Sequence, residues 1–330
     1  MTISDVAGHD VTGGRIEDTL DRGLHRAFGH WAAMRHHGTL PLRQGLREMR
    51  GDLLDLAGAR TLADPALDTP WSGKVLTTAA ECALGELALG TFPDGDWEVP
   101  LPLVDDTLTS NEIHYEEAWE PASLATTART WVQTFALCVI SGLVWERSRV
   151  IGPLLREDYA PAIRDGVPYS KRESVSTAAD LAEMDALCGY PTVVRGPVPG
   201  AVPGPVPLLK PDESTRARAA ERLDAAGALD PDQQLLRTLL DDDQGAFEQA
   251  LAGRLLEHRA EVGTDPAPRT LLPVGTIAVA ALASCAHGWQ LGVRSAYLPH
   301  SLLQTPPHDA AGEADRASET AAAGTGSGHG

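Results

Sequence analysis

Two stretches hold the side chains best suited to chemistry. Asn111, Glu112, His114, Glu116 and Glu117 set an imidazole among carboxylates, a composition able to bind a metal ion or to act as general acid and base. Their spacing matches no metal or catalytic motif, and the competing reading is an exposed acidic segment. His25, His30, His36 and His37 crowd a second stretch. Only His30 and His37 share a helical face, seven residues apart and without an adjacent carboxylate, which describes a helix surface better than a zinc site. Cys82, Cys138, Cys188 and Cys285 are widely separated in apolar surroundings with no CxxC pair, so they read as reduced, buried thiols. Cys285 and His287 fit no nucleophile motif, and HExxH, GxSxG and GxxxxGKS are absent. No catalytic residue, cofactor or metal ligand is therefore assigned, and the expectation is a protein that binds rather than turns over.

Charge is the stronger signal. The 330 residues carry 27 Lys plus Arg against 46 Asp plus Glu, a net charge of −19, which disfavours nucleic acid and anionic membranes as partners and favours a basic protein surface. From Val75 through Ala128 there is no Lys or Arg, while eleven acids fall inside: Glu81, Glu86, Asp94, Asp96, Glu98, Asp105, Asp106, Glu112, Glu116, Glu117 and Glu120. Arg22, Arg26, Arg35, Arg43, Arg47 and Arg50 lie upstream, so the charge is lopsided along the chain. A partner-binding surface built on this block comprises Asp94, Asp96, Asp105, Asp106, Glu112, Glu116 and Glu117, with Trp97, Tyr115 and Trp119 as its anchors. The alternative is a solvated loop whose acids pair with arginines of neighbouring helices.

Helices must position these groups. Few aromatics and abundant Ala and Leu favour an all-α fold, a multi-helix bundle or an array of antiparallel helix pairs with at most a short edge strand. Leu20, Leu24, Phe28 and Trp31 mark a first amphipathic helix ending near Gly38, and Leu42, Leu46, Met49, Leu53 and Leu56 mark a second after Pro41, the two forming a hairpin. Further helices are expected at Val75–Leu89, Ala125–Trp145, Ala178–Leu187 and Ser214–Ala226. Asp230, Pro231 and Gln233 form a capping box for Pro231–Leu240, and Asp243 caps the next helix, carrying Phe247, Leu251 and Leu255. Ile277–Ala286 is apolar on nearly every side and belongs at the centre of the C-terminal part. Trp97–Val104 is extended at most as an edge, because of Pro100 and Pro102.

Residues 1–14 and 304–330 are polar and Gly-bearing and are expected to be disordered, leaving 15–303 as one helical domain or two packed lobes. The Pro/Gly-rich stretch 190–211 reads as a linker or long surface loop. The start has neither a basic nor an apolar leader region, and the apolar runs fall short of the roughly 20 residues a membrane span needs, so a cytoplasmic location is expected.

The segments LLDDDQGAFEQALAGRLLEHR and LLPVGTIAVAALASCAHGWQLGVRSAYLPHSLL make the C-terminal half distinctive. It resembles the immunity protein 49 family of bacterial polymorphic-toxin systems in Phe247 and His258, in the small-residue helix Ile277–His287, and in Ser295, Tyr297, Leu298, Pro299, Leu302 and Leu303. TWVQTFALCVISGLVWERSRVIGPLLR resembles the family's central helix pair, whereas the N-terminal third matches only in helical character. Arg294 stands where the family is often acidic, and the Pro/Gly stretch is an insertion. The resemblance implies an immunity protein that binds a cognate toxin and blocks it sterically and electrostatically, with the C-terminal motif serving packing. The rivals are a metal-assisted hydrolase on the Glu112–Glu117 cluster and a non-catalytic helical scaffold; a scaffold predicts internal repeats, and no fixed period is visible.

Overall fold

The computed structural model describes residues 4–38, 40–92, 95–113, 126–166, 175–192 and 207–305. Helix boundaries follow local capping chemistry. Thr69, Thr127, Thr177, Asp212, Asp230 and Asp243 each accept a hydrogen bond from a backbone N–H in the first turn of the helix they precede, satisfying a donor with no intrahelical partner. These start α3 (Pro70–Thr91), α4 (Ala128–Ile140), α8 (Ala178–Leu187), α9 (Glu213–Ala225), α10 (Pro231–Leu240) and α11 (Gln244–Glu261). At α10 the box closes in both directions: the Gln233 N–H donates to Asp230 at 2.8 Å, and the Asp230 N–H donates to Gln233 Oε1 at 2.9 Å.

The first two helices form the expected hairpin, α1 (Gly13–Ala32) against α2 (Leu42–Arg60), linked by a π-turn at Ala33–His37 and a left-handed Gly38. Leu42, Leu46, Met49, Leu53 and Leu56 are buried, as their spacing predicts. On α1 the expectation is overturned: Ile16, Thr19, Gly23 and Ala27 face α2, while Leu20 and Phe28 point outward and Leu24 and Trp31 are half-buried. Small residues let the two backbones close up, since a Cβ on Gly23 would already touch Leu56 at 3.5 Å. The large apolar stripe is thereby left outside.

α3 is the hub, packed against α2, α4 and the hairpin of β2 (Glu98–Leu101) and β3 (Asp106–Thr109), an antiparallel pair isolated from other sheets. The helix expected at Ala125–Trp145 is instead interrupted. Gly142, at φ 83°, ends α4 and starts α5 (Leu143–Glu146), a left-handed backbone that glycine adopts without steric cost. Beyond it, α6 (Ser148–Pro153), a π-turn at Leu154–Tyr159 and α7 (Ala160–Asp165) wrap α4, whose Trp131 indole N–H donates to the Leu155 carbonyl at 2.8 Å.

α12 (Val274–Cys285) is buried against α4, α10 and α11. The window Pro268–Cys285 is long and apolar enough to cross a membrane by composition, yet 61% of it is buried within the protein, so the core accounts for its apolarity. One continuous buried cluster runs from Val6 to Leu302 and joins N- and C-terminal helices. The ends of the Pro/Gly-rich stretch meet: Leu209 N–H donates to the Tyr190 carbonyl at 3.0 Å and Thr192 N–H to that of Pro207 at 2.9 Å. Residues 193–206 lie outside the described residues.

The expected disorder of residues 1–14 is corrected over residues 4–14, residues 1–3 lying outside the described residues. β1 (Ser4–Val6) pairs in parallel with β4 (Val293–Ser295), setting Asp5 opposite Arg294, and α1 already begins at Gly13. Val6 is buried in the core. Of the expected C-terminal tail, residues 306–330 lie outside the described residues.

The 3-10 turn Pro268–Leu271 sits directly on α2 at Gly58, where an added Cβ would lie deep inside contact distance of the Pro268 carbonyl. Gly253, exposed in α11, has nothing within 4 Å. Gly58→Ala is therefore expected to cost about 1–3 kcal/mol in urea unfolding, whereas Gly253→Ala is expected to gain about 0.5–1 kcal/mol by helix propensity. A neutral Gly58→Ala would contradict this close approach.

Candidate functional site

The acidic block divides once folded. Glu81 and Glu86 are not surface acids at all: both are buried on α3. Arg47 Nη2 and Arg50 Nη1 reach the two oxygens of Glu86 at 2.8 Å each, and Arg147 Nη2 reaches Glu81 at 2.6 Å. Burial pushes the Glu81 carboxyl up to about 7 despite the opposing pull of Arg147. These two serve the core.

Trp97, expected as an interface anchor, is buried among its own neighbours in the core. The hairpin alternates: Trp97, Val99 and Leu101 turn inward, and Asp96 and Glu98 are exposed. Asp105 occupies the hairpin turn at φ 52° and is exposed. Among the described residues, Asp96, Glu98 and Asp105 make no ion pair. Asp94, Tyr115, Glu116, Glu117 and Trp119, with His114 and Glu120, lie outside the described residues.

Asp106 and Glu112 tie the hairpin to the end of α1. The Trp31 indole N–H donates to Asp106 Oδ2 at 2.8 Å, and Arg35 donates to Glu112 Oε2 at 2.5 Å while standing 3.6 Å from Asp106. The hydrogen bond and charge of Arg35 hold the Glu112 carboxyl below its ordinary value. The exposed stripe of α1 thus ends beside the acidic hairpin, with Phe28 edge-on to Trp31 at 6.3 Å and Trp31 edge-on to His36 at 5.2 Å. Folding also gives His30 the carboxylate its own stretch lacks: its Nε2 lies 3.0 Å from Asp52 Oδ2 on α2. Among the described residues no group of three or more His, Cys, Asp or Glu is placed to hold one metal ion.

A constellation of catalytic appearance lies elsewhere. Tyr190 Oη is 3.1 Å from His287 Nε2, and His287 Nδ1 is 2.9 Å from Asp242, which also accepts from Lys210 and Arg216 at 2.7 and 3.1 Å. Tyr190 and the His287 ring have no exposure to solvent, and burial pushes the imidazole pKa down against the pull of Asp242. The relay braces Tyr190 and Lys210 against the end of α12; its Tyr190 and His287 rings do not open to a substrate. Sequence spacing concealed it, because 97 residues separate Tyr190 from His287.

The C-terminal motif residues converge on the N-terminal segment. The Tyr297 hydroxyl accepts from the His9 backbone N–H at 2.9 Å and bonds His9 Nδ1 at 2.6 Å. His9 Nε2 continues to Thr270 Oγ1 at 2.9 Å, and His258, whose Nε2 bonds the Thr270 carbonyl at 2.8 Å, stands edge-on to Tyr297 at 5.2 Å. Burial and the neighbouring His258 hold the His9 imidazole below its ordinary pKa, and burial pushes the Tyr297 phenol up. Phe247, Leu298 and Leu302 are buried in the core, Ser295 Oγ accepts from the Tyr297 N–H at 3.2 Å, and Pro299 precedes the 3-10 turn His300–Leu303. Every described motif residue is accounted for by packing or by this clasp.

Residues 64–302 match the family described as Immunity protein 49. The chain belongs to the immunity protein 49 family. Comparison with curated proteins and with solved structures gave no match. The family match runs from before α3 into the 3-10 turn at His300–Leu303, so it takes in the acidic hairpin and the His258, Thr270 and Tyr297 side of the clasp, whereas His9, α1 and α2 precede it.

Tyr297→Phe keeps the ring and removes both hydrogen bonds to His9. It is expected to lower stability by about 1–2 kcal/mol and to speed amide exchange in residues 4–9; unchanged exchange there would show that the clasp does not hold the N-terminal strand.

Proposed function

We propose that this protein is a cytoplasmic immunity protein that neutralises a toxin by binding it, without turnover. Family membership supplies the immunity role, and the docking face follows from one observation: α1 buries its small residues and leaves Leu20 and Phe28, each 37% exposed, on a stripe whose Trp31 end meets the hairpin carrying carboxylates in no ion pair among the described residues. An apolar centre rimmed by like charges is the arrangement that gives a protein interface its affinity and its association rate. Asp96, Glu98 and Asp105 attract a basic toxin surface, and Phe28, with half-buried Trp31 and Leu24, provides the contact that excludes water. The hydrolase reading loses support because Glu112 is already engaged by Arg35.

The test is co-expression with the toxin encoded by the adjacent gene. The wild-type protein is expected to co-purify with the toxin and protect the cell. Asp96→Lys with Glu98→Lys is expected to slow association at least about tenfold at low salt and to flatten its salt dependence. Phe28→Asp is expected to raise Kd by about 10–100-fold, chiefly through dissociation. Failure to bind or protect would count against the immunity reading; unchanged rates in both variants would remove this face from the interface.

A further inference from the structure

Away from the α1 face, α2, α4, α8, α10 and α12 converge around a cavity of about 350 Å³. Its floor is apolar, made by Val132, Phe135 and Ala136 of α4 and Ala278, Val279 and Leu282 of α12. Its polar wall is unlike the rest of the chain. Where the whole protein has 27 basic residues against 46 acidic ones, the cavity is lined by four arginines, Arg47, Arg50, Arg129 and Arg269, and two acids, Glu183 and Asp232.

The two acids are already answered. Asp232 accepts from Arg254 at 2.8 Å and from Thr276 at 2.7 Å. Glu183 accepts from Gln233 at 3.0 Å, faces Arg129, and is pushed by burial up to about 7. On the opposite wall the balance is reversed. Among the described residues Arg47 and Arg50 share a single carboxylate, Glu86, so positive charge is in excess on that wall, while Arg269 is matched one to one by Asp55 at 2.6 Å and Arg129, across the cavity, is met by Asp180, Glu183 and Asp230. A recess whose Arg47–Arg50 wall carries two guanidiniums on one carboxylate above an apolar floor selects a monoanion with a hydrocarbon tail, and its volume lies in the range of small-ligand sites.

We propose that this cavity binds a small amphipathic carboxylate, its head on the Arg47–Arg50 wall and its tail on the α4–α12 floor. The site stands on the cavity alone and does not depend on the toxin-binding reading. The one excess charge favours a monoanion over a phosphate dianion, and the closed apolar floor favours an alkyl chain over a polar metabolite.

Calorimetric titration of the full chain with octanoate, octanol and octylamine tests it. Octanoate is expected to bind saturably at one site, about tenfold or more tighter than octanol, with octylamine not binding. Arg47→Gln, at a side chain 54% exposed and so tolerant of change, is expected to remove most of the preference for octanoate over octanol. Ala278→Phe, which fills the floor, is expected to abolish binding. No octanoate binding, equal octanoate and octanol affinities, or octanoate binding undiminished by Arg47→Gln would each overturn the proposal. The headgroup comparison on the unmodified protein decides it even if Ala278→Phe does not fold.

Discussion

Helix α3 imposes the governing constraint. It is enclosed by α2, α4 and the hairpin, yet it carries Glu81 and Glu86 into that enclosure. Stripping one partner from a buried ion pair costs about 3–5 kcal/mol, because the remaining charge is left in a medium that solvates it poorly. Each carboxylate therefore needs a cation beside it: Glu86 takes Arg50 from α2, with the more exposed Arg47 beside it, and Glu81 takes Arg147 from the turn after α5. Two segments are fixed about α3 by this demand. The same logic recurs at Asp55 with Arg269 and at Asp180, Glu183 and Asp230 around Arg129.

This internal use of arginine shapes the outside. A chain with 27 basic residues that spends many of them between helices has few left to neutralise its loops. Asp96, Glu98 and Asp105 make no ion pair among the described residues, while Arg35 is committed to Asp106 and Glu112. The acidic exterior is thus a consequence of core electrostatics as well as composition. In the family's C-terminal motif, Tyr297 and His258 hold the N-terminal segment through His9. α1, the helix that supplies the exposed apolar stripe, lies before the matched residues 64–302. The proposed docking face therefore combines a matched hairpin with an unmatched helix.

Much of the fold was legible in local chemistry. Thr and Asp caps, the Asp230–Gln233 box and the continuous apolarity of Ile277–Ala286 announce helices through interactions spanning three or four residues, which sequence displays directly. The strand Ser4–Val6 was not legible, because its partner Val293–Ser295 lies nearly the whole chain away and three residues show no periodicity. The outward turn of Leu20 and Phe28 was hidden for a different reason: periodicity marks an apolar face but does not reveal that Gly23 and Ala27 pack more closely against α2. At the candidate site, the paired acids Asp106 and Glu112 were found by composition, whereas Trp97 went to the core and Glu81 and Glu86 became counter-ions, distinctions set by tertiary contacts alone.

The central claim, that the α1 stripe and the acidic hairpin together receive the toxin, is most directly examined by hydrogen exchange of the protein free and in complex. The account predicts slowed exchange concentrated in residues 20–38 and 95–112, with α9 and the exposed face of α11 unchanged. Slowed exchange confined to α9, α11 or the C-terminal clasp, with α1 and the hairpin unaltered, would contradict it.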